Sequence, residues 1–144
     1  MTLENNKAAL WNMLFLCWLI AFISTLGSLF FSEVMDRVPC VLCWYQRIFM
    51  FPLLFVFTVG LFPFDPRCAR YALPIALTGW GFALYHCLLY LGFIPKNMQP
   101  CTQGISCVDA KLELFSFLTI PLLSFCAFTL IIALLLAVRK GLKP

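Results

Sequence analysis

The chain has 144 residues, is 63% hydrophobic and only 11% charged, and carries a net charge of +4 with eight cysteines. A soluble domain averages roughly half apolar and about a quarter charged, so this chain has more apolar surface than its own core can hide and needs a lipid environment. The small positive balance has no basic face to follow a phosphate backbone, which argues against a nucleic-acid partner.

Charge-free runs mark four predicted spans in chain order, over residues 8–32, 48–64, 71–95 and 114–138. A membrane helix needs about 20 apolar residues. Three runs meet this, and the second meets it with the Trp-Tyr-Gln that precedes Arg47. The helices are expected at about 9–31, 45–64, 71–94 and 114–138. The first run is too long for a signal-peptide core and no small-residue cleavage site follows it, so it is read as retained. Pro52, Pro74 and Pro121 fall inside spans, where neighbouring helices can satisfy the freed carbonyls.

Four spans put both termini on one side. That side holds six basic residues, Lys7, Arg67, Arg70, Arg139, Lys140 and Lys143; the other holds four, Arg37, Arg47, Lys96 and Lys111. The positive-inside rule then makes the termini and the "FDPRCAR" loop cytoplasmic. No internal repeat is visible. The expectation is an all-α integral membrane protein: one domain over 1–144, a four-transmembrane-helix bundle with two external cysteine-bearing loops.

On this topology Cys17, Cys87 and Cys126 lie within spans, where a thiol packs as a small apolar residue, and Cys68 lies in the cytoplasmic loop. Cys40 and Cys43 fall in the first external loop at the mouth of the second span, and Cys101 and Cys107 fall in the second. An oxidising exterior permits disulfides, and four cysteines allow three pairings that spacing does not choose between.

The stretch "PCVLCWYQR" carries the sharpest chemical signal. Pro39 suits the first position of a helix, which places Cys40 and Cys43 in the opening turn, where free N–H groups and the positive dipole end favour a thiolate. Arg47, four residues past Cys43, lies on the same face. It can stabilise a thiolate or donate to an oxygen acceptor, although cations at span ends also simply snorkel to the interface. His86, the chain's one histidine, is expected about eight residues, or roughly 12 Å, inside the third span. An ionisable group there marks either a site or a histidine bonded to a neighbouring helix.

With "PCVLCWYQR" at the start of span 2, "FMFPL" just after it and "PCTQGISC" in the second loop, the chain resembles the disulfide bond formation protein B (DsbB) family, and within it the short BdbC-type branch. The resemblance implies a thiol oxidase of the bacterial cytoplasmic (inner) membrane that reoxidises an extracytoplasmic thioredoxin-fold oxidoreductase of the DsbA or BdbD kind. It implies that Cys101 and Cys107 meet that partner, with attack at Cys101. Exchange through Cys107 and Cys40 then passes electrons to the Cys40–Cys43 pair. Cys43 is implied as the thiolate facing a membrane quinone, ubiquinone or menaquinone, with Arg47 on the quinone oxygen and His86 as a further quinone contact. The second cysteine pair is closer together than in the longer proteobacterial form, as it is in the short branch.

Two other readings stand beside this one. A vitamin K epoxide reductase-like enzyme is also four-helical and quinone-linked, but its quinone-proximal CxxC follows the loop pair, whereas here CVLC precedes it. A non-enzymatic tetraspan protein could use the external cysteines structurally or for zinc. Five residues separate the second pair, outside the usual zinc spacing of two to four, and thiolates facing an oxidising space form disulfides in competition with zinc. No metal is therefore expected.

Overall fold

Where the helices of this chain start and stop decides which side chains can meet. The computed structural model describes residues 2–36, 40–93 and 120–142. Four helices account for most of them: α1 (Thr2–Leu29), α2 (Val41–Leu61), α3 (Cys68–Tyr90) and α4 (Ile120–Gly141). A π-helical turn, Phe30–Val34, continues α1. There is no strand among the described residues. All four helices are long and apolar enough to cross a membrane. The shortest crossing segment, 21 residues, is about 32 Å long at helical rise, against a hydrocarbon core of about 30 Å.

The helix ends depart from the charge-free runs for identifiable reasons. α1 reaches back to Thr2, with Glu4 in its first turn, because charges end a span without ending a helix. α2 starts at Val41, capped by Cys40. α3 starts at Cys68 rather than in the following turn, so Cys68 is a helix residue and not a loop residue. It stops at Tyr90, where Gly92 takes a positive φ of 78°. The Gly92 N–H donates to the Leu89 carbonyl at 3.1 Å and the Phe93 N–H to that of Leu88 at 3.1 Å, the Schellman pattern that glycine makes at a helix end. Residues 114–119 of the fourth expected span, and the loop bearing Cys101 and Cys107, lie outside the described residues.

The helices form a ring in chain order: each packs on the next, and α4 returns to α1. The shared core takes Leu10, Leu14, Cys17 and Ala21 from α1, Met50, Leu53, Phe57 and Leu61 from α2, and Phe128, Ile131, Leu135 and Val138 from α4. These recur at three- and four-residue steps, one stripe per helix. α3 contributes mostly small residues, Ala69, Ala72, Ala76 and Ala83, which let helix backbones approach closely. A Cβ on Gly79 would come within 2.5 Å of the Phe128 ring. Polar clasps add direction. The Trp18 indole N–H donates to Thr58 Oγ1 at 2.9 Å, tying α1 to α2, and that of Trp80 to Thr129 Oγ1 at 3.0 Å, tying α3 to α4. Each threonine hydroxyl donates in turn to the carbonyl four residues earlier in its own helix, so both clasps, which lie on the outer surface of the bundle, keep their polar groups paired.

Candidate functional site

α2 opens on Cys40, in the extended conformation (φ −66°, ψ 162°), whose Sγ accepts the Cys43 N–H at 3.3 Å. The sulfur does what a serine or aspartate oxygen does at other helix starts, satisfying one of the free N–H groups of the first turn. The helix therefore begins two residues later than Pro39 in the first helical position would place it. Cys40 is the cap and Cys43 the third helical residue, which brings their side chains to the same end of α2.

His86 comes to them from α3. Because Gly92 ends that helix early, His86 lies four residues from the end at Tyr90, about 6 Å rather than 12 Å along the axis. It is level with the start of α2 rather than deep in the bundle. Its Nε2 stands 4.0 Å from Cys40 Sγ, and its Nδ1 lies 3.2 Å from the side-chain nitrogen of Gln46. Cys40, Gln46 and His86 are all buried. One ligand-type atom from each of Cys40, Cys43 and His86 falls within 4.8 Å of the others. Leu42 and Leu89 bury with Cys40, and Phe82 and Tyr85 pack against them.

The electrostatics of this corner centre on Cys40. A hydrogen bond from the Cys43 thiol, reinforced by His86 and the Cys43 N–H, holds the Cys40 thiol far below its ordinary value, at about 4, against the opposing effect of burial. The contacts that favour an anion thus gather on the outer cysteine. Cys43 is half-buried.

Arg47 turns toward α1. One guanidinium nitrogen donates to Ser32 Oγ at 3.3 Å and the other to the Ser28 carbonyl, and the group lies 5.8 Å from the centre of the Trp44 ring. It therefore ties the end of α1 to the mouth of α2, with hydrogen-bond donors to spare.

Of the six residues singled out from sequence, the structure brings Cys40, Cys43 and His86 together with Arg47 one turn further along α2. Cys101 and Cys107 lie outside the described residues. Sequence reasoning passed over Gln46, Ser28 and Ser32. Gln46 did leave a signal: an amide inside an apolar span needs a partner. The two serines left none beyond their position near the end of the first run.

Comparison with known proteins shows the family. The family model for Disulfide bond formation protein DsbB matches residues 10–138. The chain is 47% identical over 135 residues to a "Probable disulfide formation protein" of Metapseudomonas resinovorans, covering 93% of this chain and 94% of that protein. It is 40% identical over 132 residues to "Disulfide bond formation protein C" of Bacillus subtilis, covering 90% and 94%. A "Probable disulfide formation protein" of Deinococcus radiodurans is 42% identical over 131 residues, 85% of each chain. No solved structure gives a match. With its cysteine pair at the head of a membrane helix and a family match over nearly its whole length, the chain belongs to the DsbB family, as a multi-pass bacterial membrane protein of disulfide oxidation.

Proposed function

We propose that the protein reoxidises a thioredoxin-fold partner outside the cytoplasmic membrane and delivers the electrons to a membrane quinone. The observation that carries this reading is the cluster of Cys40, Cys43 and His86 at the mouth of α2, with Arg47 one turn beyond. It is a dithiol with an ionised outer sulfur, an adjacent proton acceptor and a fixed cation, all at the end of a membrane-spanning helix.

Oxidation of the partner begins at Cys101. The partner's thiolate attacks that sulfur of the Cys101–Cys107 disulfide, and its second thiol displaces it; the partner leaves as a disulfide and Cys101 and Cys107 remain as thiols. Cys107 then attacks Cys40 of the Cys40–Cys43 disulfide, with Cys43 leaving, and Cys101 displaces Cys40 from that mixed disulfide, re-forming the loop disulfide and leaving Cys40 and Cys43 reduced. Cys40 is suited to this exchange because its contacts stabilise the thiolate, the form that attacks and leaves in disulfide exchange. His86, 4.0 Å from its sulfur, can hold the proton that Cys40 releases, and Gln46 can offer its amide N–H or its oxygen to the far ring nitrogen in either protonation state.

The residues present suit a quinone. Arg47 has five N–H donors, of which its bonds to α1 use two, and Trp44 and Tyr45, which follow Cys43, are 55% and 41% exposed, giving flat aromatic surface beside the cysteine. A bound ubiquinone or menaquinone would accept two electrons and two protons and leave as the quinol. In this reading Cys43 faces it and Arg47 holds its oxygen. The cytoplasm holds both termini, and both cysteine pairs face outside.

The test is turnover of the purified protein with reduced partner and quinone, followed by quinone absorbance. The wild type should form one quinol per partner disulfide. Cys43→Ser should fall to background, and Arg47→Lys, which loses the planar fork, should raise the KM for quinone about tenfold, the effect of losing roughly one charge-assisted hydrogen bond. Wild-type turnover in Cys43→Ser refutes the path.

A further inference from the structure

Binding of a soft divalent cation asks for something different from the redox site: several ligand atoms of the right type converging on a point, with their own partners behind them. Cys40, Cys43 and His86 offer two sulfurs and one imidazole nitrogen within 4.8 Å of one another. We propose that the reduced form of this trio is a zinc-type metal site, which exists only while the pair is a dithiol and which closes the electron exit when filled. From the functional reading this takes only that the pair alternates between dithiol and disulfide.

Four observations carry it. Cys₂His is a zinc donor set, and three protein ligands with a fourth position open to water is the arrangement of accessible zinc sites. Zinc–sulfur and zinc–nitrogen bonds of about 2.3 and 2.0 Å place tetrahedral ligand atoms about 3.6 Å apart, so the trio reaches that geometry by closing roughly 1 Å, within the range of side-chain rotation. His86 is already held from behind: Nε2 faces the cysteines while Nδ1 lies 3.2 Å from Gln46. A metal on Nε2 leaves the proton on Nδ1, and a half-turn of the Gln46 amide, which now presents its nitrogen there, lets Nδ1–H donate to the Gln46 oxygen, the outer-shell bond that orients metal-bound histidines. Finally, two thiolates and one divalent cation sum to zero charge. A neutral complex is what a corner walled by Leu42, Leu89 and Phe82 can hold at low desolvation cost.

Binding moves no electrons. Cys40 already meets the metal as a thiolate, the Cys43 thiol releases its proton to water on bonding it, and both sulfurs are then engaged. Cys40 cannot exchange with the loop pair and Cys43 cannot deliver electrons. In the disulfide form the two sulfurs bond each other, two of the three ligands are gone, and the site does not exist. The metal therefore traps the reduced enzyme alone.

The experiment uses the full chain with Cys101→Ala and Cys107→Ala, to remove competing loop thiols. Zinc is titrated against a chromophoric chelator, and cadmium is followed by its ultraviolet thiolate band, on protein either reduced or oxidised with diamide. The expected result is one equivalent bound to the reduced protein and none to the oxidised protein. Gln46→Ala should weaken binding 10–100-fold, the usual effect of losing an outer-shell partner, and His86→Gln at least as much. Three results overturn the proposal: no binding by reduced protein, equal binding after oxidation, or unchanged affinity in His86→Gln. The reduced–oxidised contrast needs no substitution among the ligands, so a misfolded variant does not blunt it. Binding is read without turnover. Failure of quinone reduction in the wild type would strike the electron path and leave this site standing.

Discussion

Cys40 owes its character to its neighbours rather than to its own type. The Cys43 thiol and backbone N–H and the His86 ring together lower it from 9.0 to about 4. A thiol lowered on folding contributes stability that is fully present above pH 9 and is lost progressively as the pH falls through about 4, because the unfolded chain binds the proton more readily. Two results should follow in the reduced protein. The thiolate absorbance missing from Cys40→Ser should persist down to about pH 5 and titrate near 4, and His86→Ala should move that midpoint upward. A midpoint near the ordinary value in the wild type would show that these contacts do not act on Cys40. At this scale the sequence was informative about the reactive atoms and silent about what holds them. Cys-X-X-Cys with Arg four residues on, and a histidine inside a span, are visible in one dimension. The bonds from Gln46 to His86 and from Arg47 to Ser28 and Ser32 cross between helices, and no spacing within one helix encodes them.

Among the elements, α3 packs tightly against both of its neighbours. Gly79 lies where its neighbours α2 and α4 both press in: a Cβ there would come within 2.5 Å of the Phe128 ring and 3.0 Å of Phe49 Cβ. Gly81, two residues on, has nothing within 4 Å. Gly79→Ala should therefore destabilise the protein by about 1–3 kcal/mol, the range for overpacking a core. Gly81→Ala should be neutral or stabilising by up to about 1 kcal/mol, because alanine is the better helix former. Thermal unfolding in detergent compares the two directly, and equal effects would contradict the packing. The existence of four helices was legible because charges interrupt the apolar runs. Which face of each helix turns inward was harder to read, since a helix apolar all round gives its periodicity little contrast. Small residues were the exception: Ala69, Ala72, Ala76, Gly79 and Ala83 mark the inner side of α3. Helix ends followed local chemistry the runs do not register, a sulfur cap at Cys40 and a glycine stop at Gly92.

For the whole molecule, the ring of four helices puts the start of α2 and the end of α3 at one end and the junction between them, Phe62 to Arg67, at the other. The positive-inside rule, applied to six basic residues on the side of the termini against four on the other, predicts the site outside and the chain ends inside. A fluorescent protein fused after Pro144 should fluoresce and an alkaline phosphatase fused there should be inactive; the opposite pair of results would invert the molecule. Trp44 adds a last consequence. It sits 5.8 Å from the Arg47 guanidinium and is 55% exposed, while Trp18 and Trp80 are bonded to threonines elsewhere in the bundle. A chain keeping only this indole would carry a built-in optical reporter. Its emission should dim as quinone is added and recover when Arg47 is replaced by Met, so that occupancy could be followed in real time, without a label and before any electron moves.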